Sequence, residues 1–184
     1  MQEGLMKASM RAQRGVRRFR RQQRGASLLE AIAYLGIAAI VVIGAVALLN
    51  GAFTSAGTNE LSEQVNAIQA GVKKLYMGQS SGYTNVSDSV LSSAGVLPAT
   101  VPFSGSSATN AWGGNVTITG TQTTFDIAYT NVPTSVCINA VTAGGSWTTI
   151  KIGTNTETAV PLDPKTAQTD CGSSGPVDIT WTST

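Results

Sequence analysis

Three features of this 184-residue chain have side chains or spacing that could do chemistry: Glu30 at the edge of a long apolar run, Gly25 just before that run, and the pair Cys137 and Cys171. An acidic side chain at the centre of a membrane costs about 3 kcal/mol on insertion scales, so Glu30 either serves a function or sits at the interface and meets water. Its position allows both. The two cysteines are too far apart for a Cys-x-x-Cys redox pair and too few for a four-cysteine metal site. They form either two inert buried thiols or a disulfide, which would close a loop of about 35 residues and stabilise by roughly 4 kcal/mol in the chain-entropy model. The chain has no histidine, which removes His-based triads, general-base histidine and His-ligated zinc. No Gly-rich phosphate loop is present. The expectation is a protein that is not an enzyme and holds no cofactor and no metal.

The elements that must position these residues begin with charge. Lys7 and seven arginines between Arg11 and Arg24 lie in the first 25 residues, opposed there by Glu3 alone. From Ala26 onward four lysines face nine acidic residues. A basic head of this kind could be a solvated tail or a nucleic-acid-binding arm. The apolar run directly after it argues against both, so no nucleic-acid partner is expected. Residues 31–49 (AIAYLGIAAIVVIGAVALL) carry no charge and as a helix would span about 28 Å, close to the hydrocarbon thickness of a bilayer. Basic residues before such a span hold that end in the cytoplasm, which places the acidic body outside.

Beyond a plausible weak point at Asn50–Gly57, the residues Leu61, Val65, Ile68, Val72 and Leu75 follow a heptad seam, which predicts an amphipathic helix continuing to about Met77. Glu60 and Glu63 read as lying near its start and Lys73 and Lys74 near its end, both favourable to the helix dipole. Residues 78–184 are rich in Ser and Thr and poor in charge, a composition that favours turns and strands. One short helix is predicted over Asn85–Ser93, capped by Thr84 or Asn85 and stopped by Gly95. After it, Val116/Ile118, Phe125/Ile127/Tyr129, Ile150/Ile152 and Val177/Ile179/Trp181 alternate with polar residues, which predicts an antiparallel sheet with one buried face. Asp126 and Asp178 read as solvated on its polar side. The fold class is α+β: a long helix whose outer half is covered by a sheet.

The junction Arg24-Gly25-Ala26-Ser27-Leu28-Leu29-Glu30, followed by the apolar stretch, resembles the class III signal of type IV prepilins, and the long basic leader with Ser-Leu-Leu-Glu resembles the type IVb group. Downstream, Gly71-Val72-Lys73-Lys74-Leu75-Tyr76, Gly95-Val96-Leu97-Pro98, Asn110-Ala111-Trp112-Gly113-Gly114 and the segment from Phe125 to Cys137 are similar to the thin-pilus, PilS-like major subunits of conjugative and bundle-forming pili. The resemblance implies four segments: a cleaved basic leader (1–25), a transmembrane and polymerisation helix (26–49), its amphipathic continuation (50–77), and a sheet domain with a C-terminal disulfide loop (78–184). It implies cleavage by a prepilin peptidase between Gly25 and Ala26, where a glycine lets the backbone approach an active site closely, and N-methylation of the new Ala26 amine. Ala26 departs from the bulkier apolar residue with which such pilins often begin.

Glu30 then lies one helical turn from a cationic terminus, and in a stack of subunits it can pair with the Ala26 amine of a neighbour; two charges buried together cost less than either alone. Gly36, Ala38, Ala39, Gly44, Ala45 and Ala47 keep the helix slim, which suits close helix packing. The partners implied are identical subunits in a helical filament, a prepilin peptidase, the inner-membrane pilus assembly machinery, and the membrane before assembly. The location implied is the inner membrane for the precursor and then an extracellular pilus used for adhesion, aggregation or conjugative mating. Competing readings are a minor pilin or pseudopilin of a secretion system, a single-pass anchored binding protein that keeps its leader, and a secreted hydrolase cut near Ala56. The last would need a catalytic constellation that the chain does not display.

Overall fold

The computed structural model describes residues 27–173 and 175–184. The expected leader 1–25 and the Gly25–Ala26 bond lie outside the described residues. The described residues divide into two units, with the boundary between Ile43 and Gly44.

Helix α1 runs from Leu28 to Tyr76. In the first unit it is apolar on every side, and its large side chains are open to the surroundings, with Leu28 82% and Leu29 79% exposed. The helix contains an 18-residue window of mean hydropathy 2.7, none of it buried, which is long and apolar enough to cross a bilayer.

In the second unit α1 passes through residues 50–57 as unbroken helix, the continuation expected from the sequence, and the weak point at Asn50–Gly57 does not interrupt it. Gly51 and Gly57 each cost about 1 kcal/mol relative to alanine, which weakens a helix without ending it, and no proline is present to break it. The Thr58 hydroxyl adds a bond back to the Thr54 carbonyl at 2.8 Å. The expected dipole role of Glu60 and Glu63 is corrected by this continuity. Both lie deep inside a 49-residue helix, where the dipole, confined to the terminal turns, gives them nothing. Lys73 and Lys74 do occupy the last turn.

The outer part of α1 packs into the core through Leu61, Val65, Ile68 and Val72, none more than 3% exposed. Leu75, the fifth residue of the expected seam, is 37% exposed, because it lines an open groove with Gly71, Lys74, Ala94, Gly95 and Val96. Gln64 and Gln69 are buried on the same face, held there by hydrogen bonds that hydrophobic spacing does not reveal.

The sheet covering α1 has seven strands: β1 (Phe103–Ser104), β2 (Ser107–Thr109), β3 (Asn115–Gly120), β4 (Phe125–Val132), β5 (Thr149–Ile152), β6 (Asn155–Glu157) and β7 (Val177–Ser183). Their order is β1-β2-β3-β4-β7-β5-β6, and each pair is antiparallel. The expected alternation holds through most of the sheet: Val116, Ile118, Phe125, Ile127, Tyr129, Ile150, Ile152, Ile179 and Trp181 are all buried, as strands with one face on a core require, while Val177 at the start of β7 is half-buried. Strand β7 is central: Trp181 sits opposite Ile127 on one side and Ile150 on the other, so β7 joins the β1–β4 part of the sheet to β5 and β6.

Helix α2 is shorter than expected, Asp88–Ser93, and its N-cap is Ser87, whose hydroxyl accepts from the Val90 N–H at 3.5 Å. Thr84 and Asn85 precede the cap, and their segment forms turns. Gly95, at φ 68°, follows the helix as expected, in the left-handed conformation that favours glycine after a helix. Two further helices, α3 (Thr134–Thr142) and α4 (Pro164–Asp170), lie in stretches whose composition suggested only strands and turns.

Candidate assembly site

The assembly residue expected from the sequence, Glu30, lies in the first turn of α1 and is exposed. Ser27 caps that turn: its hydroxyl accepts the Glu30 N–H at 3.2 Å, satisfying one of the donors left open at a helix start. One carboxylate oxygen of Glu30 accepts from the Tyr34 hydroxyl, one turn on, at 3.4 Å. Among the described residues the carboxylate has no cationic neighbour, and the residues flanking it, Leu28 and Leu29, are apolar and uncovered. Such a group can accept a cation from outside its own chain, and an apolar flank would make that pairing strong by excluding water. Gly36 and Gly44 have nothing within 4 Å of where a side chain would begin, so another helix can approach α1 closely at both. Gly25 and Ala26, expected to carry cleavage and methylation, lie outside the described residues.

The cysteines are joined. Cys137 in α3 and Cys171 at the C-cap of α4 form a disulfide with a Cα–Cα distance of 6.0 Å. Both are buried, so the bond is a staple inside the head. Thr134, at the start of α3, donates its hydroxyl to the Gly175 carbonyl at 2.7 Å, which ties the segment after the second cysteine back to α3.

The head's remaining polar groups mostly hold its own backbone. Asp126 accepts the Thr182 hydroxyl at 2.7 Å and Asp178 accepts the Asn131 N–H at 3.1 Å, so neither is merely solvated. Asn131 has φ 61° and sits where the β4–β7 register shifts between Tyr129 and Val132. Asp178 therefore pins a β-bulge, and asparagine is among the few non-glycine residues that tolerate this conformation. Asp88 accepts the Ile118 N–H at 2.6 Å; burial pushes its carboxyl up, with that hydrogen bond pulling it back down. Asp163 caps α4 by accepting the Lys165 and Thr166 N–H groups, and the hydrogen bond from the Thr166 side chain, with these, holds its carboxyl below the usual range. Tyr129 donates to Gln64 at 3.2 Å. Burial, with the Glu60 charge adding to it, pushes its phenol far above the ordinary range. Trp181 is buried and packs edge-on to Tyr129 at 5.9 Å between ring centroids.

Sequence reasoning passed over several of these residues. Asp163-Pro164 is a helix-start signal, a carboxylate cap followed by proline in the first turn, and it was open to view. Gln64, Gln69 and Asn131 carry no comparable signal, since their partners come from distant segments. Among the described residues, no cluster of three or more His, Cys, Asp or Glu side chains could hold a metal.

No curated protein matches the chain. The family model described as PilS N terminal matches residues 55–184, which covers the outer part of α1 and the whole sheet head. Those residues have the architecture expected from the sequence, an α+β head folded on the end of a long helix, and the match spans well over half of the chain. The chain belongs to the PilS family of type IV pilins.

Proposed function

We propose that this pilin is made as a precursor, cut by a prepilin peptidase between Gly25 and Ala26, methylated on the Ala26 amine, and built by inner-membrane assembly machinery into an extracellular filament of identical subunits. Before assembly the first half of α1 anchors it in the membrane. In the filament the same apolar surface packs against other copies, and Glu30 pairs with the Ala26 amine of a neighbour. The filament serves contact with surfaces or other cells, in adhesion, aggregation or conjugative mating.

The observation that carries this reading is the uncovered apolar surface of α1. From Leu28 to Leu49 its large apolar side chains stand at least half exposed, a quantity that water does not tolerate and that lipid or other helices must cover. Glu30 is the one charge in that stretch, which supports its role in the pairing. Electron microscopy and quantification of sheared surface fractions test the reading. Glu30→Ala leaves the Ala26 cation unpaired in an apolar core, where breaking such a pair typically costs about 3–5 kcal/mol. The variant is expected to be made, inserted and processed, yet to give few or no filaments. Filaments from Glu30→Ala in normal number would contradict the assembly role of Glu30, and wild-type cells without filaments would contradict the filament itself.

A further inference from the structure

All the carboxylates from Ser27 onward except Glu63 and Glu157 accept a hydrogen bond within the described chain. Glu63 is exposed in the middle of α1, where the helix dipole does not reach it. The face of α1 to which it belongs is the one turned away from the sheet. Asn59, Glu63, Asn66, Ala67, Ala70 and Lys74 recur at helical spacing and are all exposed, opposite the buried stripe through Leu61, Val65, Ile68 and Val72. This face carries two charges of opposite sign, Glu63 and Lys74. They are eleven residues apart, three turns, so they point the same way and stand about 16 Å apart along the axis. Within one chain they cannot meet.

A second copy of the same face, parallel and shifted by those three turns, is complementary to the first: its Glu63 comes level with Lys74. In that register Asn66, Ala67 and Ala70 of the first copy lie level with Ser55, Ala56 and Asn59 of the second, all exposed and none large, so two helix axes can come to about 8–10 Å. We propose that this face of α1 is a subunit–subunit contact of the filament, with Lys74 of one copy paired to Glu63 of the next. The inference rests on the filament reading and adds a second contact to it, in the outer part of α1. A head-to-tail contact of this kind repeats along a fibre without closing on itself. The occupant is another copy in the same orientation, because all subunits enter the filament from one membrane with their apolar ends together.

Charge reversal in cells making the full chain tests the contact. Glu63→Lys and Lys74→Glu each set like charges together, and each is expected to lower sheared filament yield by about tenfold at unchanged subunit level. The double variant Glu63→Lys/Lys74→Glu restores the opposite pair and is expected to return the yield to within about twofold of wild type. Full yield from both single variants, or a double variant no better than the singles, would overturn the contact while leaving the filament standing. Absent wild-type filaments would instead overturn the filament reading. Glu63→Cys/Lys74→Cys in one chain supplies a geometric readout. Under oxidation the shifted parallel arrangement gives a ladder of covalent multimers. Covalent dimers that grow no further would indicate an antiparallel pair, and monomers alone would indicate no contact; either result overturns the proposal.

Discussion

Gln69 on α1 donates a 2.9 Å hydrogen bond to the hydroxyl of Ser183, the next-to-last residue of the chain, and a second of 2.9 Å to the Ser146 carbonyl. One buried amide thus ties the helix to the end of β7 and to the segment leading into β5. Gln69→Leu keeps much of the volume and leaves the buried Ser183 hydroxyl without this donor. Since an unsatisfied buried group costs about 1–3 kcal/mol, the detergent-solubilised chain is expected to unfold at lower urea with an unchanged slope. An unmoved midpoint would show that the bond does not hold the sheet to the helix.

Gly71 and Val96 set a second constraint. A Cβ at Gly71 would overlap Cγ1 of Val96 and lie 3.3 Å from its Cβ, so the stiff valine cannot simply swing aside. In helix propensity Gly71→Ala gains about 1 kcal/mol, but overpacking costs about 1–3 kcal/mol. The variant is expected to be less stable than wild type, and Val96→Ala in the same chain is expected to relieve it by more than the single effects add up to. A stabilised Gly71→Ala chain would show that the contact between α1 and the segment after α2 yields freely.

Tyr129 makes the head sensitive to alkali. Its phenol is buried, donates to Gln64 and is held neutral well beyond its ordinary value of 10.0. The sign follows from the raised folded value. The contribution of Tyr129 is whole below pH 10 and declines above it, because the unfolded chain loses the proton first. The decline is about 1.4 kcal/mol per pH unit while the two states differ by a full proton. Tyr76 is also pushed up by burial, so only the difference between wild type and Tyr129→Phe isolates Tyr129. The Phe variant is expected to lose about 1 kcal/mol at neutral pH, with the Gln64 carbonyl left without its partner, and to decline less steeply above pH 10. Parallel alkaline slopes for the two proteins would contradict this.

The long helix and the central strands were legible because burial repeats along them: period 3.5 from Leu61 to Val72, and period two in β3, β4, β5 and β7. Helix α3 hides its period. Val136, Cys137, Ala140 and Val141 are buried at helical spacing, but they stand among threonine and β-branched residues, whose local preference is for strands. Helix α4 buries Ala167 alone, too little for any pattern, and only its Asp163-Pro164 start could have revealed it. Strands β1, β2 and β6 are two or three residues long and exist because neighbours pair with them. At the candidate site, the identity of Glu30 and its apolar flank could be read directly. Under the filament account its partner is another chain's terminus, which no pattern inside one chain encodes. The Lys74–Glu63 relation depends on the sheet covering the opposite side of α1, which no spacing in the sequence encodes.

The central claim is that this chain becomes a filament subunit after losing its basic leader. Its most direct test is the intact mass and N-terminal sequence of the subunit recovered from sheared extracellular filaments. The account predicts a subunit that begins at Ala26, lacks residues 1–25, and carries a single added methyl group on its terminal amine. A subunit that begins at Met1 or near Gly57, or a chain found only in the membrane fraction with no filaments to shear, would contradict it.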